Sequence, residues 1–462
     1  MPQESEHISE ERRKLYRKKN PIRQLIDDWF DRLVGAVGEG SLSAQDEEYE
    51  SGRTSRDFIW NTVGFTAWGM VFPLLTIVVT QLAGVDAAGR FSLAFVAANL
   101  LYIIGNYGMR TYQISDLDEY HSFADYQVSR ALTCIVMLIV GFVFFSVRPN
   151  ADEMIAMGMG VCAYKAIDAL GDVYEGRLQQ VDKLYLAGIS LALRSFVAFI
   201  AFTLLLLITG NLAVASIAMA IGAAITFGFV TFPLTLFETP KSQHFNVRSV
   251  WLLLKDCAPV FAALFLYSLV DNLPKFLIDG VLPYEDQLYF NALYFPAMAI
   301  LLIAGFVYKP MLVRMANLWA DESRRNRFDI LIVVMLGIIV VLTLAFAALM
   351  AWVGIPLMSF LYGVDFSQFM DLCYIMIAAG GVTAAIDFLY QVITVLRRQN
   401  VVLGLYLITF VLSLLVLTLM INMVQLKGAV IGYLIVMCIL LVLLAREYIT
   451  QRIGLGRGTR SR

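Results

Sequence analysis

The chain has 462 residues, of which 59 % are hydrophobic and 16 % charged, with a formal net charge of −2. A soluble domain carries roughly 25 % charge, whereas here apolar runs long enough to cross about 30 Å of hydrocarbon as helices recur from Asp57 onward. Composition therefore predicts an all-α polytopic membrane protein, and the near-neutral balance excludes the global basic field that nucleic-acid binding needs.

Residues 1–56 read as a polar cytoplasmic tail, without the apolar centre of a signal peptide. Within it, Ile22, Leu25, Ile26, Trp29, Phe30, Leu33, Val34 and Val37 make one stripe behind Pro21, which predicts an amphipathic helix at about 21–37. Three roles stay open for it: lying on the inner leaflet, docking a partner protein, or packing on the protein's own loops.

Twelve spans follow, at about 57–82, 91–109, 129–147, 154–175, 184–209, 212–237, 251–279, 287–312, 329–353, 368–395, 401–424 and 428–446. They divide into halves of six, 57–237 and 251–446, joined by a polar linker at 238–250 and followed by a basic tail at 447–462. Gly84 and Val85 at the first outer turn match Gly280 and Val281 at the same place in the second half, the mark of an internal repeat. Alternate connections are short turns, including Gly354–Phe366 and Gln425–Lys427, with only Arg90, Arg148 and Lys427 in or beside them. The other connections hold most of the basic residues, among them Arg110, Arg130, Arg177, Lys183, Arg324, Arg325 and Arg327. By the positive-inside rule both termini are expected in the cytoplasm.

Charges inside the spans set the functional question. In span four, Lys165, Asp168, Asp172 and Glu175 share one helical face; span five adds Arg194, span seven Asp271, Lys275 and Asp279, and span ten Asp387. An ionised side chain at bilayer depth costs at least about 2.5–3.5 kcal/mol and normally faces a partner or a watery cavity. One reading is internal pairing, Lys165 with Asp168 or Asp172 and Lys275 with Asp271 or Asp279. Buried pairs stabilise poorly, however, and both halves carry the device, which favours a hydrated cavity for a polar cargo. Glu175 and Asp279 lie near span ends, where water is within reach. Pro73, Pro259, Pro274 and the pair Gly380 and Gly381 interrupt spans and are candidate hinges, a static kink being the bland alternative.

Enzyme signatures are missing: there is no GxSxG, HExxH or Walker A motif. The five cysteines and three histidines are scattered, which speaks against disulfides, a metal site or thiol chemistry. No cofactor is implied.

The order of features resembles the Wzx-like polysaccharide flippases of the multidrug/oligosaccharidyl-lipid/polysaccharide exporter superfamily. The likeness rests on "NTVGFTAWGMVFPLLTIVVTQLAGVDAAGRFSLAF", "YEGRLQQVDKLYLAGISLALRS", "SFLYGVDFSQF", "VLRRQN" and "GAVIGYLIVMCILLVLLARE", and it covers about 57–446. The resemblance implies two six-helix bundles around a central cavity of alternating access in a bacterial plasma membrane. Its implied cargo is a polyprenyl-pyrophosphate-linked oligosaccharide moved to the outer leaflet for cell-surface polysaccharide. Lys165, Arg194 and Lys275 then become candidates to meet the pyrophosphate. Asp168, Asp172, Asp271 and Asp387 would pair them, bond sugar hydroxyls, or carry H+ or Na+. The tail helix would be a place for polysaccharide-assembly proteins to dock. Two alternatives are an ion-coupled exporter of another substrate in the same superfamily and a membrane glycan polymerase or ligase.

Overall fold

A computed structural model describes residues 53–116, 119–148, 151–240, 246–320, 324–396 and 399–458. The helix expected at 21–37 lies outside them. The first half contains α1 (Arg53–Ala83), α2 (Val85–Asn106), the short α3 (Met109–Ser115), α4 (Phe123–Ser146), α5 (Ala151–Gln180), α6 (Leu184–Thr209) and α7 (Leu212–Glu238). The second contains α8 (Val247–Ile278), α9 (Tyr284–Tyr308), the short α10 (Leu312–Ala320), α11 (Arg325–Tyr362) and α12 (Met370–Val395). A final helical run, Gln399–Gly458, breaks at Gln425 (φ 54°, ψ −132°) into α13 (399–424) and α14 (426–458). Gly428 packs on the backbone of Met420, so these two arms fold back as a hairpin. Among the described residues 11 helical runs are long and apolar enough to cross a bilayer, and the hairpin makes the last of them a double crossing.

The protein is thus an all-α membrane protein of two six-helix bundles. The bundle end that carries Glu238 and Val247 is called here the linker face, and the opposite end the far face. Helices enter each bundle through close approaches that only small residues permit. Gly64 of α1 meets Gly188 of α6, where a Cβ on Gly64 would lie 2.5 Å from the Gly188 carbonyl oxygen. Gly380 of α12 lies against Ala297 of α9, and Gly381 against Thr343 of α11. These two glycines, candidate hinges by sequence, pack closely within a continuous helix in this conformation. α1 likewise runs unbroken through Pro73, and α8 through Pro259 and Pro274.

One connection departs from expectation. The turn read at Gly354–Phe366 is mostly helix, since α11 continues to Tyr362 and the chain reverses only at 363–366. Gly354 instead ends a π-turn, Met350–Gly354, just before Pro356. The same device occurs in α7, where the π-turn Phe227–Thr231 precedes Pro233. Proline donates no N–H and its ring crowds the carbonyl four residues back, and a wider turn relieves both defects without breaking the helix.

The bundles meet mainly through α2, which packs on α8 and α9. At the far face Arg148 pairs with Asp279, Phe144 meets Phe276 edge-on at 5.9 Å, and Gln81 Nε2 donates to the Leu361 carbonyl at 2.8 Å. At the linker face Tyr107 stacks on Phe261 at 4.4 Å and the Tyr112 hydroxyl donates to the Asp256 carbonyl. Phe72 of α1 meets Phe295 of α9 at 5.1 Å. On the linker side of that pair, Phe65 of α1 and Leu302 and Phe306 of α9 are exposed.

Candidate substrate pocket

The charged row of α5 folds into the centre of the first bundle. Asp168 and Glu175 lie two turns apart on one face, and Gly171 between them leaves a notch. Arg194 enters that notch from α6: a Cβ on Gly171 would collide with its guanidinium. Arg194 Nε donates to Asp168 at 2.8 Å and Nη1 to Glu175 at 2.8 Å, with the side chains of all three at most 3 % exposed. The π-turn of α7 adds Thr231, whose hydroxyl lies 2.7 Å from that of Ser190, itself a donor to Glu175 at 3.1 Å. Such a network meets the condition for burying charge, which is that every group be paired and hydrogen-bonded.

Lys165 lies above it, with Nζ 3.6 Å from Asp168 and 4.5 Å from the centroid of the Trp68 ring. The rings of Phe95, Tyr102 and Tyr164 surround the same ammonium within 5.7 Å, an aromatic enclosure that favours a cation. Trp68 Nε1 donates to Asp168 at 2.8 Å.

Asp172 does not pair with Lys165. It joins Arg110 of α3, at 2.5 Å, and Arg130 of α4, at 3.1 Å. Arg130 is fully buried and also donates to the Gly105 carbonyl and to Asn106. Arg110 is the outermost of these groups, 20 % exposed, and its second Nη donates to Gln179 at 2.9 Å. Burial works against the Arg110 charge, but the carboxylates of Asp172 and Glu175 outweigh it and raise the pKa above the ordinary arginine value.

Between α1, α2, α5 and α6 these groups enclose a pocket of about 330 Å³. Its walls include Asn61, Trp68, Tyr102, Asn106, Asp168, Asp172, Glu175 and Arg194, and its rim Arg110 and the exposed Phe65. Three carboxylates, two guanidinium groups, two amides and three aromatic rings thus face one small space.

The second bundle holds a separate polar node. Asp271 of α8 accepts from the hydroxyls of Tyr294 of α9, at 2.7 Å, and Tyr433 of α14, at 2.6 Å. Lys275 is buried in the last turn of α8, bonded to Asn272 at 2.9 Å, with Nζ 3.8 Å from the Tyr294 ring centroid. Asp387 of α12 accepts from the Tyr308 hydroxyl. The same helix face of α9 carries Gln287 and Asn291, both buried with amide atoms that find no partner.

Sequence-named residues thus fall into two groups. Lys165, Asp168, Asp172 and Arg194 come together in the first bundle; Asp271 and Lys275 both touch Tyr294 in the second, without pairing with each other, and Asp387 lies deeper toward the linker face. One expectation needs correction. Glu175 does not reach water but is buried on Arg194; Asp279, partly exposed at its span end, also pairs with Arg148. Sequence reasoning missed Arg110 and Arg130, counted among the connections because they abut apolar runs. A signal was available: three carboxylates on the α5 face against one lysine demand cations from elsewhere.

No family model matches this chain, and no curated protein sequence matches it. Solved structures do match. A point mutant of the Vibrio cholerae MATE transporter VcmN superposes with a TM-score of 0.59 at 14 % identity, over 87 % of this chain and 98 % of that one. An inward-facing multidrug resistance MATE family transporter of the MOP superfamily gives 0.58 at 13 % identity, over 86 % and 99 %. A MOP superfamily transporter from Pyrococcus furiosus, described as having a binding pocket of reverse polarity that suggests a different function, gives 0.54 at 15 % identity, over 87 % and 95 %. The fold of this chain is that of the MATE transporters of the MOP superfamily.

Proposed function

We propose that this protein is a flippase. It moves a polyprenyl-pyrophosphate-linked oligosaccharide from the inner to the outer leaflet of a bacterial plasma membrane by alternating access, with both termini in the cytoplasm. The observation that carries this reading is the mixed-charge pocket of the first bundle, where Arg110 and Arg194 stand among carboxylates and amides, with Arg130 buried behind Asp172. A pocket for lipophilic cations needs acids and aromatic rings alone. Guanidinium groups suit an anionic phosphate, which they grip bidentately, and amides with carboxylates suit sugar hydroxyls.

Of the cations named from sequence, Lys165, Arg194 and Lys275 are at most 3 % exposed; Arg194 belongs to the pocket wall, Lys165 stands behind it, and Lys275 would serve the cargo from the second bundle. Arg110 at the rim makes the first contact with phosphate. Asp271 and Asp387, held by tyrosine hydroxyls rather than by cations, are the groups to carry H+ or Na+. The tail helix remains a place for polysaccharide-assembly partners.

The test is translocation of a labelled polyprenyl-pyrophosphate oligosaccharide in proteoliposomes. The wild type should transport, and Arg110→Gln should reduce the rate about tenfold or more with insertion intact, as expected for loss of a charge-assisted phosphate contact. Failure to move any such lipid across several glycans, with efflux of an organic cation instead, would overturn the flippase in favour of a drug-type exporter.

A further inference from the structure

We propose that the pocket of the first bundle is a subsite for a single sugar ring with an adjoining phosphate, and that Trp68 and Arg110 divide the two parts between them. The inference rests on the flippase reading and adds the unit of cargo that the pocket recognises.

Size comes first. About 330 Å³ stands at the small end of ligand pockets, which run from about 300 to 1,000 Å³. It admits one ring and not a chain of them. The lining then decides which kind of ring. A pyranose presents an apolar C–H face and a rim of hydroxyls that both donate and accept. Trp68 and Tyr102 supply aromatic surface, with centroids 6.0 Å apart and planes inclined at 43°, and Asn61 and Asn106 supply groups that donate and accept on one side chain. A planar aromatic or cationic ligand would have no use for the two amides, and a bare phosphate none for the rings.

Position orders the parts. Arg110 stands at the rim and Trp68 deeper along α1, where its indole N–H is fixed on Asp168. Asp172 holds Arg110 through one carboxylate oxygen and Arg130 through the other. A phosphate arriving at the rim can therefore take Arg110 while Asp172 stays neutralised by the buried Arg130, so the exchange strands no buried charge. Arg130 is thus a positioning residue for the acid that releases Arg110. The phosphate remains at the wetter rim and the ring goes inside.

The experiment uses the full-length protein in detergent, titrated with a panel of gluco-, galacto- and 2-acetamido-hexose 1-phosphates, the matching methyl hexosides, and inorganic phosphate, followed by calorimetry and tryptophan emission. At least one hexose 1-phosphate should bind about tenfold or more tightly than both its methyl hexoside and inorganic phosphate. Arg110→Gln should remove the advantage of the phosphorylated sugar and leave the methyl hexoside unchanged. Trp68→Leu should weaken both sugars and leave inorganic phosphate unchanged, and Trp68→Phe, which keeps a ring, should recover most of the loss. Where Trp68→Leu does not fold, the Arg110→Gln comparison decides alone. Binding of inorganic phosphate as tight as any sugar phosphate, or no binding by the whole panel, overturns the subsite. Lipid transport that persists alongside such a result leaves the proposed function standing, whereas sugar-phosphate binding without lipid transport keeps the subsite and overturns the flippase.

Discussion

Arg194 shows how one side chain organises the first bundle. It bridges Asp168 and Glu175 from a helix that is a sequence neighbour of theirs, inside a notch that Gly171 leaves open. Removing a partner from a buried ion cluster costs about 3–5 kcal/mol, because the charge left behind is uncompensated, whereas apolar or neutral replacement of the whole set is close to neutral. Arg194→Met should accordingly lower the thermal unfolding midpoint of the detergent-purified protein strongly. The quadruple variant Arg194→Met, Asp168→Asn, Glu175→Gln, Lys165→Met, which removes every charge of the set, should recover most of the loss. Equal losses in both would mean that the cluster does not act as a unit. The α5 row was legible in sequence, since spacings of three and four place it on one face. Its partners were not, because the Arg110–Asp172 and Arg130–Asp172 pairs join residues separated by 62 and 42 positions, and no local pattern encodes such a distance. The expected pairing of Lys165 with Asp168 is present at 3.6 Å, but the expected partners of Lys275 are replaced by Asn272 and a tyrosine ring.

At the level of elements, helix ends decide how the bundles are held. Arg148 follows the end of α4 and Asp279 that of α8, and the two meet across the bundle boundary beside the Phe144–Phe276 contact. Close by, a Cβ on Gly89 at the start of α2 would strike the backbone of Tyr284 at the start of α9. These contacts seal the far face. Opening it requires breaking the ion pair, which at partial exposure contributes about 1 kcal/mol or less. Asp279→Asn should therefore raise the open population up to about fivefold. In a cysteine-free background with Phe276→Cys, labelling by an impermeant maleimide from the far side should speed up by a similar factor. A rate unchanged by Asp279→Asn would show that packing at Gly89 and Phe144 holds the seal without the charge. Helix begins earlier than expected at Val85, where the sequence reads as a turn over Gly84–Gly89, and the departure at Gly354 has a physical cause: a glycine before an Ile-Pro step reads as a turn, whereas apolar surroundings force the backbone to keep its hydrogen bonds and it widens into a π-turn instead.

The whole molecule ties access to orientation. Arg177, Lys183, Arg248, Arg325, Arg446 and Arg452 all belong to the linker end of the helices that carry them. The far face has Arg90, Arg148 and Lys427, of which Arg90 pairs with Asp86 and Glu153, and Arg148 with Asp279. The larger number of basic residues at the linker end is what the positive-inside rule expects of a cytoplasmic end, in keeping with the orientation proposed above. A fluorescent protein fused at the C-terminus should then fold and emit in intact cells, and a cysteine introduced at the far-face turn, Gly210→Cys, should react with an impermeant reagent added outside. The pocket rim, where Arg110 and the exposed Phe65 stand, would accordingly open to the side on which, in the proposed function, lipid-linked sugars are assembled, and Arg110 would stand where their phosphates arrive. A silent C-terminal fusion with an unreactive Gly210→Cys would invert the molecule. The same pocket would then take its cargo from outside, and the proposed direction of transport would reverse with it.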